Sequence, residues 1–180
     1  MNSWWWYLTR ATGIVAAVLS VAALALGLYF SSRNTGTRQK PNWWLSLHNY
    51  LGGLTLAFVG VHMLFSVVDT TWGLRVVDLF IPSSKVGWGI GFGVIAFWMF
   101  VVTVIPSIAR IRRRLPRKVW HVVHLVSVPA VALTAVHAIK AGSDSSSTLF
   151  PRILAVVAGL GIYPLAVRLI ALSQARRATA

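Results

Sequence analysis

Five histidines carry most of the reactive chemistry in this 180-residue chain, which has three acidic residues and no cysteine. His48 and His62 are 14 positions apart; His124 and His137 are 13 apart, with His121 just ahead of them. On helices these separations are about 21 and about 19.5 Å, at 1.5 Å per residue. They exclude one zinc site, whose ligands must converge on a single ion. A proton relay calls for Asp or Glu among the histidines, and Asp69, Asp78 and Asp144 all lie elsewhere. Imidazole also ligates haem iron, and two layers of two would hold two bis-His haems, one above the other. The lack of cysteine excludes disulfides, zinc-thiolate and iron–sulfur sites and covalent haem attachment, and leaves the redox compartment open.

Apolar helices have to position these rings. Hydrophobic residues make up 57% of the chain and charged ones 11%, too few for an ordinary soluble surface. Charge-free runs occupy 11–32, 41–68, 86–109, 119–139 and 153–167. Roughly 20 apolar residues span a hydrocarbon core, and the fifth run reaches that length if Arg168 snorkels. The first run is too long for a signal peptide and ends in no small-residue cleavage site. The expected fold is all-α, a single domain over 1–180. It is a polytopic bundle of five transmembrane helices at approximately 8–31, 43–68, 86–109, 119–140 and 152–173.

Basic residues give the direction. Arg33, Arg38 and Lys40, the Arg110–Lys118 loop, and Arg168, Arg176 and Arg177 place twelve of the 17 Lys and Arg on one side. Arg10, Arg75, Lys85, Lys140 and Arg152 share the other side with the three acids. The positive-inside rule therefore puts the N-terminus outside and the C-terminus in the cytoplasm. A net charge of +14 is then mostly topology, with attraction to the anionic lipid bilayer. Nucleic acid is not an expected partner, since the basic loops are short and carry no recognition motif. Trp4, Trp5, Trp6, Trp72 and Trp88 mark the outer interface, and Trp43, Trp44 and Trp120 the inner one. Trp98 alone falls mid-membrane. Residues 69–86 form an outer loop with a short surface helix around Leu74–Phe80.

The second and fourth helices run in the same direction. His48 and His124 therefore share an inner depth, and His62 and His137 an outer one. Helical phase supports the first pair, with His62 only about 40° from the direction of His48 and Gly52 leaving room for a porphyrin edge. On the fourth helix His137 is about 140° from His124 in an ideal helix, and Pro129 between them can kink it. His121, beside Lys118 and Trp120, reads as an interfacial histidine. The glycine-rich run Gly87–Gly93 opens a transmembrane helix with the wrong spacing for a nucleotide loop, and reads as close helix packing.

The segments HNYLGGLTLAFVGVH (His48, His62) and HLVSVPAVALTAVH (His124, His137) resemble the haem helices of the ferric reductase-like transmembrane superfamily. That superfamily includes NADPH oxidases, ferric reductases and the methionine-sulfoxide-repair membrane subunit. The opening WYLTRATG and the stretch AIKAGSD after His137 are similar to stand-alone actinobacterial members. The resemblance implies a two-haem b-type cytochrome of a bacterial cell membrane, an electron-transfer subunit of an oxidoreductase. His48, His62, His124 and His137 would be iron ligands, with Arg10 at the outer haem, as a corresponding Arg is in the oxidases. Lys140 outside and Arg38, Lys40, Arg117 and Lys118 inside are further candidates for haem propionates. No flavin or nicotinamide domain is recognisable, so the expected electron donor is a separate cytoplasmic flavoprotein or quinol. The acceptor is expected on the outer side, as ferric iron, oxygen or a partner protein. The oxidases place an aromatic side chain between the haems, where Val126–Thr134 has none; Trp98 or Phe97 could fill the gap or face lipid. A quinol-linked haem anchor of a larger oxidoreductase and a non-redox helical scaffold are the alternatives.

Overall fold

A computed structural model describes residues 3–31, 41–142 and 147–177. Arg33, Arg38, Lys40 and Asp144 lie outside the described residues, as does the side chain of Arg176. The described elements are α1 (Ser3–Ser31), α2 (Pro41–Val68), α3 (Trp88–Val104), α4 (Ala109–Arg112), α5 (Arg117–Leu125), α6 (Ser127–Ala141) and α7 (Leu149–Arg177). Short 3-10 turns cover Val76–Leu79, Ser84–Val86 and Ile105–Ser107. Five helical stretches are long and apolar enough to cross a membrane: Trp4–Ser31, Trp43–Val68, Trp88–Ser107, Arg117–Ala141 and Leu149–Gln174. The first begins several residues ahead of the charge-free run, because its interfacial Trp and Tyr residues continue the helix outward as readily as apolar ones do.

Two close pairings organise the bundle. α1 lies antiparallel on α2, and α3 lies on α6, while α7 covers α1. α2 and α6 have few direct backbone approaches, so a gap runs between them. Ser20 and Thr55 are buried and satisfy their hydroxyls inside their own helices, on the Ala17 carbonyl at 2.7 Å and on Leu51 at 2.8 Å. This removes the cost of an unpaired polar group in a medium without water. At the C-terminal end of α1, the Arg168 guanidinium of α7 donates to the Ser31 carbonyl at 2.5 Å. A cation there satisfies a carbonyl that the end of α1 leaves open.

The fourth transmembrane stretch is two helices. α5 ends at Leu125, Val126 turns (φ −59°, ψ −20°), and α6 starts at Ser127. Pro129 is the cause. It has no N–H to give the Leu125 carbonyl, and its ring collides with that same group, so the helix stops there. In α6 the proline falls in the first turn, where the backbone N–H has no partner within the helix anyway. The break resets the phase between His124 and His137.

The segment between α2 and α3, expected from the sequence to be the outer loop, packs down along α3. Its 3-10 turn is fixed by Asp78, which accepts from the Arg75 backbone N–H at 2.9 Å and from the guanidinium at 3.2 and 3.3 Å. Leu74 and Leu79 are buried beneath it. Trp98 donates its indole N–H to the Phe80 carbonyl at 2.8 Å, and the Phe80 ring meets Phe97 and Trp98 at 6.0 and 6.3 Å. Trp98 and Phe97 are therefore occupied with the outer segment and do not fill the gap between the histidine layers.

Candidate functional site

The four histidines meet in the two expected pairs. His48 of α2 and His124 of α5 have ring centres 5.8 Å apart with planes at 68°. His62 of α2 and His137 of α6 are 6.2 Å apart with planes at 77°. His121 points elsewhere: it is exposed, and its ring contact is with Trp120 at 6.2 Å. No group of three or more His, Cys, Asp or Glu side chains converges among the described residues. Each layer is thus a pair of imidazoles.

Each ring is held by the nitrogen nearer the backbone. His62 Nδ1 donates to the Thr9 carbonyl, His48 Nδ1 to Ala23 and His137 Nδ1 to Gly89, all at 2.8 Å. A carbonyl can only accept, so Nδ1 carries the proton and Nε2 keeps its lone pair. This is the outer-shell arrangement that fixes the tautomer of a metal-bound histidine and raises its basicity. An imidazole nitrogen bonds a first-row metal at about 2.0 Å, so two rings across one ion stand roughly 6 Å apart, centre to centre. Both pairs fit that distance.

A register rule places the carbonyls. In three sites the ring bonds the carbonyl of residue i and lies against a glycine at i+4: Thr9 with Gly13, Ala23 with Gly27, Gly89 with Gly93. A Cβ added at Gly13 would stand 2.9 Å from His62 Nδ1, at Gly27 3.0 Å from His48 Cε1, and at Gly93 2.7 Å from His137 Nδ1. Only a residue without a side chain lets the imidazole reach the carbonyl one turn earlier. Gly13 and Gly27 share the 14-residue spacing of His48 and His62 on the antiparallel partner helix. That coincidence was available in the sequence and is the signal that reading the histidines alone missed. Gly52 meets nothing within 4 Å and borders open space. In the run Gly87–Gly93, Gly89 and Gly93 do the close packing, against Lys140 and His137 of α6.

The fourth site differs. His124 Nδ1 is 3.1 Å from the Ser107 hydroxyl, which itself donates to the Thr103 carbonyl at 2.8 Å and accepts from the Trp120 indole at 3.2 Å. Trp120 stacks on His124 at 4.8 Å and 17°, and the Arg112 guanidinium lies over the Trp120 ring at 4.2 Å.

Residues 11–135 match the family described as ferric reductase like transmembrane component. The chain belongs to that family. The match takes in His48, His62 and His124 and stops just short of His137. Neither the comparison with curated proteins nor that with solved structures finds a match. Ferric reductase-like transmembrane domains generally bind haem, and this one is a multi-pass membrane component of electron transfer. Of the candidate propionate partners in the ferric reductase-like domain, Arg10 is half-buried, follows Thr9 directly and lies 4.1 Å over the Trp6 ring. Lys140, Arg117 and Lys118 are exposed.

Proposed function

We propose that this domain holds two b-type haems in the gap between α2 and the α5–α6 pair. His48 and His124 are the ligands of the inner haem, and His62 and His137 those of the outer one. A single observation carries the reading: all four Nδ1 atoms are engaged, which leaves Nε2 as the ligating nitrogen in two ring pairs whose centres are 5.8 and 6.2 Å apart. When bound, haem iron supplies one-electron chemistry, cycling between its ferric and ferrous states.

The protein's own part is to keep the rings crossed and fixed, so that little rearrangement accompanies a change of charge. Burial between apolar helices keeps water from the sites. Arg10, and with it Lys140, holds propionate at the outer site, while Arg117 and Lys118 serve the inner one. With the C-terminus in the cytoplasm, as the basic loops favour, electrons enter at the inner site from a cytoplasmic flavoprotein or quinol. They leave at the outer site to ferric iron, oxygen or a partner protein. The setting is a bacterial cell membrane.

The test is a haem count on protein made under haem-replete conditions. Two non-covalent haems per chain are expected, with His62→Ala losing one and His121→Ala keeping both. A colourless protein would refute the reading. So would His121→Ala losing a haem that His124→Ala retains. Stoichiometric reduction by NADPH with no added protein would remove the separate donor.

A further inference from the structure

The two sites are not built alike, and the difference lies at one residue. Position 107 follows Gly93 by 14 residues on the same wall of the bundle, the step that separates Gly13 from Gly27. The i, i+4 rule would pair the Thr103 carbonyl with a glycine at 107. Serine stands there instead, and its hydroxyl bonds both His124 and that carbonyl, while the carbonyl itself stays within reach of His124. We infer that Ser107 positions His124 and sets the redox potential of the inner haem apart from that of the outer one. The inference deepens the two-haem reading above and rests on it.

The physical argument runs through ligand basicity. An N–H donated to a good acceptor gives imidazole more anionic character, which favours the ferric state and lowers the potential. Three of the histidines have a carbonyl acceptor at 2.8 Å. His124 has a hydroxyl at 3.1 Å, and that oxygen also accepts the Trp120 N–H. A hydroxyl has two lone pairs and one proton, so with Thr103 as its acceptor Ser107 is saturated. His124 is the weaker-held and less basic ligand. The Arg112 charge over the Trp120 ring acts in the same direction, favouring the less positive iron. Serine at 107 therefore keeps the inner haem at a higher potential than a carbonyl-held histidine would give.

Two substitutions should move it in opposite directions. Ser107→Gly frees the Thr103 carbonyl for His124 and should lower the potential. Ser107→Ala keeps a Cβ beside the ring, so that it cannot close further on the carbonyl, and removes the nearer acceptor, and should raise it. Both are read by redox titration of the purified holoprotein in a His62→Ala background, which isolates the inner haem, with the ferric low-spin resonance as a second readout. Trp120→Phe, which keeps the stacked ring without the indole N–H, should shift the potential less than either. Unmoved potentials, shifts of the same sign, or a larger shift in Trp120→Phe would overturn the inference. If Ser107→Ala fails to retain haem, Ser107→Gly decides: a lowered potential supports the assignment and an unchanged one overturns it. Absence of haem from the parent and the wild type alike would instead be a failure of the two-haem reading.

Discussion

His62 and His137 face each other with ring centres 6.2 Å apart and planes at 77°, although their helices make few direct contacts. Neither ring is placed by the other. His62 is fixed from α1, through the Thr9 carbonyl and the bare backbone of Gly13, and His137 from α3, through Gly89 and Gly93. The outer site is thus two separately braced halves that meet across a gap. Such bracing suits a group inserted between them, because it presets the ligands in the way that second-shell contacts do at metal sites.

The bracing glycines should be intolerant of a methyl group. Gly93→Ala would put a Cβ 2.7 Å from His137 Nδ1, and Gly13→Ala one 2.9 Å from His62 Nδ1. Each should displace its ring and deplete the outer haem, with overpacking costing about 1–3 kcal/mol. Gly159→Ala, on an exposed face with nothing within 4 Å, should leave haem content unchanged and gain up to about 1 kcal/mol in helix preference. Haem content and thermal unfolding of the three variants check this, and equal behaviour would count against the register rule.

The outer segment should respond to acid. The Arg75 guanidinium and backbone N–H hold the Asp78 carboxyl below its usual range. A depressed value means that its contribution is complete above the ordinary carboxylate pKa of about 4 and is lost as pH falls through the lower folded value. Hydrogen exchange at Val76–Phe80 should stay slow from neutrality down to about pH 4 and speed up below it, after correction for intrinsic rates. Asp78→Asn should exchange fast at every pH. Protection in Asp78→Asn equal to that of the parent would show that the pair does not hold the turn.

Arg168 should hold α7 to α1. Arg168→Ala leaves the Ser31 carbonyl without its donor and is expected to cost about 1.5–3 kcal/mol, the worth of a charged hydrogen bond. Haem content should not change, since the four histidines sit on other helices. Loss of haem in this variant would mean that α7 braces the site as well as covering it.

A cysteine-free chain makes topology simple to test. Single cysteines at Lys118 and Trp72, both exposed, should react with a membrane-impermeant thiol reagent from opposite sides. Lys118→Cys is expected to react from the cytoplasm and Trp72→Cys from outside. The reverse pattern would exchange the labels inner and outer for both sites.

Several features were legible in the sequence because they depend on composition and period. Apolar length against bilayer thickness marked the five spans, and nearly equal residue counts along parallel helices, 14 and 13, brought His48 level with His124 and His62 with His137. His121, among basic and interfacial residues, is exposed and belongs to neither ring pair. Phase on the fourth helix was not readable. An ideal helix turned His137 away from His124, and only the break at Val126, where Pro129 denies Leu125 its partner, restored the pairing. The tertiary structure alone decided what each Nδ1 bonds. An acceptor such as Thr9 O or Gly89 O belongs to the backbone of another helix, and no side-chain type announces it. Ser107 likewise carries no mark in the sequence as a partner of a histidine. Its bonds to both His124 and the Thr103 carbonyl depend on how α3 and α5 lie together, a property of packing that local sequence does not encode.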